Sequence, residues 1–256
     1  MKQDTFDKAK KLRFHAAPYL WEEGTAEQRA YLARVVGEEF AERHRRKLNM
    51  CLKKAHLKHW NPMSSFDWTW PSKVDRALIE ELLTLDFLEG RGNVVLMGPN
   101  GVGKTMIATN LIHQAALKGI PARFVECSTL LATLVKEAHS SGLERALQSF
   151  TKPKLLAIDE LGYLSFEAKH ADLLFQLIHR RAQSGSTIIT TNRSFGQWTE
   201  VFPNSSSLTA LLDRLLERAD VIKIEGNSYR AKNFEARKLQ RQKKGKSEAE
   251  IHTEIF

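Results

Sequence analysis

Gly98-Pro99-Asn100-Gly101-Val102-Gly103-Lys104-Thr105 is the stretch on which the reading of this chain turns. It satisfies the pattern G-x-x-x-x-G-K-T, directly after the apolar run Asn93 to Met97 and directly before the helix-patterned run Lys104 to Leu117. Gly98, Gly101 and Gly103 let the backbone turn tightly, so that successive amides and a helix start face an anion. In such a loop Lys104 is expected to bridge the β and γ phosphates of ATP and the Thr105 hydroxyl to ligate magnesium, with Pro99, Asn100 and Val102 completing the cradle.

Outward from this loop the chain alternates in the manner of βαβ units. After strand 93–97 and helix 104–117, the pattern predicts strand 122–126, helix 128–138, a surface helix near 143–150, strand 155–158, helix 167–182, strand 186–190, helix 208–217 and strand 221–224. The expected fold is α/β: an open parallel sheet flanked by helices, with its ligand beyond the carboxyl ends of the strands. Upstream, residues 26–59 carry a helical rhythm, and Ser72 to Leu88 reads as an amphipathic helix capped by Ser72 with Asp75 in its first turn. Between them Phe66, Trp68 and Trp70 form either a wall beside the nucleotide base or plain aromatic packing.

Leu155-Leu156-Ala157-Ile158-Asp159-Glu160 is an apolar strand ending in two acids at the top of the sheet. Asp159 is expected to hold magnesium and Glu160 to polarise the attacking water. Thr187 to Asn192 is a further strand, whose polar end emerges beside Asp159 if the two strands are neighbours. Asn192 can then donate to the γ phosphate and accept from the water, although Asn192-Arg193-Ser194 is also good turn chemistry. Arg230 is a candidate to reach phosphate in cis or to make a strand-end contact instead.

Lys and Arg total 39 against 30 Asp and Glu, a formal charge of +9 that favours polyanionic partners. Arg43, Arg45, Arg46, Lys47, Lys53, Lys54 and Lys58 fall in one stretch without an acid, which is read as a DNA contact or a solvated helix face. Residues 231–256 read as a flexible basic tail able to follow nucleic-acid phosphates. Cys51 and Cys127 stand apart, without metal-ligand spacing, which fits a reducing interior. The apolar runs are far short of the roughly 20 residues that cross a bilayer. No signal core opens the chain, so a cytoplasmic protein without membrane partners is expected.

Assembled, these residues resemble the IstB family of transposition helper ATPases, in the AAA+ branch that also holds DnaC-type helicase loaders. The resemblance spans about residues 20 to 235. It rests on the basic N-terminal helix, Phe66-Asp67-Trp68-Thr69-Trp70 followed by Asp75-Arg76, the phosphate loop, Ile158-Asp159-Glu160-Leu161-Gly162-Tyr163, Thr190-Thr191-Asn192, Asp213-Arg214-Leu215 and Ser228-Tyr229-Arg230. It implies an ATPase that assembles as a homo-oligomer on duplex DNA and recruits a partner transposase; a helicase loader acting on a protein ring is the alternative. By the same resemblance Lys104, Thr105, Asp159 and Glu160 take the phosphate-loop and acidic-strand roles and Asn192 the sensor role. Arg214, with Arg218 as runner-up, takes the role of an arginine donated in trans, unless it only pairs with its neighbours. The expected organisation is a helical N-terminal domain over 1–63, an AAA+ ATPase domain over 64–230 and the tail over 231–256. The space after Arg230 is short for the family's usual C-terminal lid.

Overall fold

The computed structural model describes residues 1–238 apart from His59, His139 and Ala236, so most of the basic tail lies outside the described residues. Five strands form one sheet in the order β2-β3-β4-β1-β5: β1 (Asn93–Met97), β2 (Ala122–Glu126), β3 (Leu155–Leu161), β4 (Ser186–Thr191) and β5 (Ala219–Lys223). Every pairing is parallel. β1, β3 and β4 are buried along almost their whole length because helices cover both faces of the sheet.

Alternation along the strands sorts the core into two layers. Val95, Leu156, Ile158 and Ile189 face one cluster, with α6 (Cys127–Glu137), α7 (Leu143–Thr151), α8 (Ala168–Ser184), α9 (Trp198–Val201) and α10 (Leu208–Leu216). Val94, Leu96, Ala157 and Ile188 face the other, with α4 (Arg76–Leu82) and α5 (Lys104–Leu117). Arg181, fully buried, donates to the carbonyls of Phe150, Thr151, Pro153 and Ser186 and to the Thr187 hydroxyl, tying the end of α7 to the starts of β3 and β4. Those bonds satisfy a cation that has no carboxylate partner among the described residues, and burial still lowers its pKa to about 9.

At the N-terminus α1 (Lys2–Leu12) and α2 (Ala17–Glu23) pack on the first half of α3 (Ala26–Lys54), around a small core of Ala9, Leu12, Ala17 and Val36. A capping box of Thr25 and Gln28 starts α3. Its last turns belong to a different core, since Cys51 and Ala55 are buried with the sheet's second face. The helix stops at Lys54, short of the expected 59, because Ala55 turns to run beside the edge strand and its carbonyl accepts from the Phe124 amide at 2.9 Å. That contact covers part of an otherwise open sheet edge.

One further expectation is corrected. The helix expected over Ser72 to Leu88 is only Arg76–Leu82, capped by Asp75, because Lys73 forms an antiparallel bridge with Glu225 and Leu85 adopts a left-handed conformation. At the other end the chain is helical over 229–235, crossing the boundary drawn at residue 230. No described helix is long and apolar enough to cross a membrane.

Candidate nucleotide-binding site

The strand order sets the site. β1 lies between β4 and β5, so the loop after Met97 is flanked by Asn192 on one side and by the chain leaving β5 on the other. The Gly98 amide donates to the Thr191 carbonyl at 3.1 Å, and the Tyr229 amide to the Gly101 carbonyl at 2.9 Å. Two glycines are indispensable. Gly101 has φ 79°, and a Cβ there would stand 2.2 Å from Ser228 Oγ; Gly103 has φ 103°, and a Cβ would stand 2.4 Å from Phe66 Cε2.

Lys104 opens α5, is 4% exposed, and its Nζ donates to the carbonyls of Gly98 and Pro99, each at 2.7 Å. Burial lowers its pKa to about 8, aided by Arg230 and opposed by Asp159 and Glu160. Thr105 Oγ1 donates toward the Asp159 carboxylate at 3.0 and 3.1 Å. Asp159 is buried, and desolvation raises its pKa against the bonds from Thr190 and Thr105 that lower it. Glu160 is half-buried, and its pKa is raised first by desolvation and then by Asp159 and Glu126.

β3 and β4 are neighbours, which meets the condition attached to Asn192. Its Oδ1 is buried without a hydrogen-bond partner among the described residues. A cleft of about 440 Å³ runs over the loop, lined by Phe66, Asp67, Trp70, Gly101 to Met106, Tyr163, Tyr229 and Arg230. Phe66 and Trp70 thus form a wall, while Trp68 turns aside to pack tilted against Phe66, ring centres 4.7 Å apart, under the Arg76 guanidinium. Trp70 Nε1 donates to the Asn227 carbonyl at 2.8 Å, and Lys232 pairs with Asp67 at 3.1 Å, which joins the two sides of the cleft.

Three side chains of the site escaped the sequence reading. Glu126, the cross-strand partner of Asp159, carried the weak signal of an acid ending a strand. Tyr163 lines the cleft from the loop after β3. Thr190 bonds to both the Asp159 carboxylate and the Glu160 amide, which only the pairing of β3 with β4 reveals.

The arrangement fits a triphosphate with a divalent ion. The loop is a cradle that Cβ atoms would fill, a buried ammonium is satisfied only by carbonyls, a hydroxyl and a carboxylate converge, and a buried amide oxygen lacks a partner.

The remaining candidates lie elsewhere. Arg214 stands with Arg91, Asn93 and Arg218 in a cleft of about 250 Å³. Asn93 begins β1 and the phosphate loop follows its end, so Arg214 sits at the opposite end of the sheet from its own loop. It pairs with Glu217 at 3.1 Å. In the basic stretch the helix supplies acids that the sequence run lacks: Glu39 pairs with Arg43 at 2.5 Å, and Glu42 with Arg45 at 2.6 Å and Arg46 at 2.7 Å. Lys47 lies against the turn at Gly119, Lys53 and Lys54 end α3, and Lys58 lines a third cleft of about 390 Å³, together with Arg123, Glu126, Asp159, Glu160 and Arg230.

Comparison with known families matches residues 13–237 to the IstB-like ATP binding protein family. An ATP-binding protein of insertion sequence IS21 from Pseudomonas aeruginosa is 38% identical over 204 residues, covering 80% of this chain and 77% of its own. An ATP-binding protein of insertion sequence IS5376 from Geobacillus stearothermophilus is 35% identical over 213 residues, covering 83% and 84%. Among solved structures, DnaI superposes with a TM-score of 0.52 at 20% identity over 67% of this chain and 90% of its own, a likeness of fold.

Proposed function

The chain belongs to the IstB-like ATP-binding protein family, and from that premise we propose that it is an ATPase whose nucleotide state governs its assembly on duplex DNA and its engagement of a partner transposase. The observation that carries the reading is the meeting of Thr105 with Asp159, at 3.0 to 3.1 Å, beside a buried Lys104 and next to Glu160.

Lys104 exchanges the carbonyls of Gly98 and Pro99 for phosphate oxygens of ATP, while the loop amides from Asn100 to Thr105 surround the β phosphate. Thr105 and Asp159 would hold magnesium, which would supply positive charge to offset that of the triphosphate. Glu160 orients a water and accepts its proton as the water oxygen bonds to the γ phosphorus and the bond to the β–γ bridging oxygen breaks, giving ADP and phosphate. Asn192 offers its amide to the γ phosphate and its unpartnered Oδ1 to the water; Arg230 contacts phosphate in cis. Arg214 serves the nucleotide of a neighbouring copy, which requires an oligomer.

DNA is held by the basic side of α3. Because Arg43, Arg45 and Arg46 share carboxylates on their own helix, Lys47, Lys53 and Lys54, with Lys58 just beyond the helix end, carry more of the phosphate contact. The working boundary between the N-terminal helical unit and the ATPase unit falls within α3, ahead of Cys51, rather than at residue 64. The names of the relatives place those proteins in insertion sequences, and the transposition role here follows from that kinship.

Light scattering with ATP, ADP or no nucleotide, each with and without long duplex DNA, tests the proposal. Large particles should appear only with ATP and duplex together. Equal particle size with ADP, or no assembly under any condition, contradicts it.

A further inference from the structure

Glu160 adopts φ 62°, a left-handed conformation that a non-glycine residue holds only when its surroundings enforce it. The pairing of β3 with β4 shows where the enforcement acts. Ile158 faces Ile189 and Leu161 faces Thr191, so three steps along β3 match two along β4, and Asp159 and Glu160 bulge opposite Thr190.

Thr190 is 1% exposed, and its one hydroxyl serves both bulged residues. It donates to Asp159 Oδ1 at 2.5 Å and accepts from the Glu160 amide at 2.9 Å. Asp159 in turn accepts from Thr105 at the start of α5, and the Thr191 carbonyl accepts from the Gly98 amide at 3.1 Å, so β4 is tied to both ends of the phosphate loop. The hydroxyl therefore sits where phosphate loop, metal-site carboxylate and Glu160 backbone meet.

We propose that Thr190 is a positioning residue: by filling the bulge with a hydroxyl that is donor to Asp159 and acceptor from Glu160, it holds the Glu160 carboxylate where the attacking water is activated. The proposal rests on the assignment of Glu160 as the base for hydrolysis. Thr190 is buried and lines neither cleft; it acts through the backbone of its neighbour. A valine fills the same volume with no hydroxyl, leaving a buried amide and a carboxylate oxygen each short of a partner, whereas serine restores both bonds.

The test compares Thr190→Val, Thr190→Ser and Glu160→Gln in the full chain, by ATP turnover, ADP affinity at equilibrium, and hydrogen exchange at the Glu160 amide without nucleotide. For Thr190→Val, kcat should fall about tenfold to a hundredfold, the range expected for a misplaced catalytic group, with ADP affinity nearly unchanged and faster exchange at the Glu160 amide. Thr190→Ser should recover kcat and protection together. Wild-type kcat in Thr190→Val overturns the proposal, as does a loss of ADP affinity and kcat together that serine fails to restore. If Thr190→Val does not fold, Thr190→Ala against Thr190→Ser makes the same comparison. Unimpaired turnover by Glu160→Gln removes the base assignment itself; an inactive Glu160→Gln beside a fully active Thr190→Val removes only the role of Thr190.

Discussion

Gly103 is the residue at which the phosphate loop and the aromatic wall meet. Its φ of 103° excludes a side chain, and the Phe66 ring occupies the space a Cβ would need, 2.4 Å away. Gly103→Ala must therefore distort the loop or displace the ring. Strain of about 1 to 3 kcal/mol at such a position corresponds to an ATP affinity roughly five- to 150-fold weaker, readable by calorimetry; unchanged affinity contradicts the placement of Phe66. Lys104, Thr105, Asp159 and Glu160 were legible in the sequence because a fixed spacing and an apolar strand ending in acids each name their own chemistry. Thr190 was not, because its role depends on which strand lies beside β3 and on a one-residue bulge. The pairing within the run from Arg43 to Lys58 was hidden for a related reason: a helix brings residues three and four apart together, so Glu39 and Glu42, just upstream of the run, pair with three of its arginines.

At the scale of elements, local signals held where nothing distant competed. The boundaries of β1, α5 and β2 follow directly from their apolar runs and from the Gly119-Ile120-Pro121 turn. They failed at α4, where Ser72 looked like the cap. Lys73 is instead held extended by Glu225, and helix starts only at Arg76, with the Leu78 amide donating to the Asp75 carboxylate at 2.9 Å. Asp75→Ala should lower stability by about 1 kcal/mol in chemical unfolding, while Ser72→Ala should be nearly neutral. Equal effects from the two variants would restore the original reading. α1 went unread because its buried face is only Thr5, Ala9 and Leu12, too sparse to stand out among lysines and aspartates.

For the molecule as a whole, the parallel sheet with helices on both faces was readable from alternating strand and helix patterns, whereas the strand order was not, since pairing between distant segments leaves no local trace. That order is what gives the mouth its composition, because β1 sits between β4 and β5. It also leaves Arg214 at the far end of the sheet from the phosphate loop of its own chain. The long α3 joins a small N-terminal core to the core beneath the sheet, and the chain just beyond its end, His56 to Lys58, lines the cleft that holds Glu160. All of this depends on the loop after β1 gripping a triphosphate through Lys104. Calorimetric titration of ATP into the full chain, with magnesium and with the metal chelated, and into Lys104→Ala, tests that most directly. The account predicts magnesium-dependent binding that Lys104→Ala abolishes or weakens at least a hundredfold, the loss expected when about 3 kcal/mol of charge-assisted contact is removed. Absence of magnesium-dependent affinity in the unaltered chain, or equal affinity in Lys104→Ala, contradicts it.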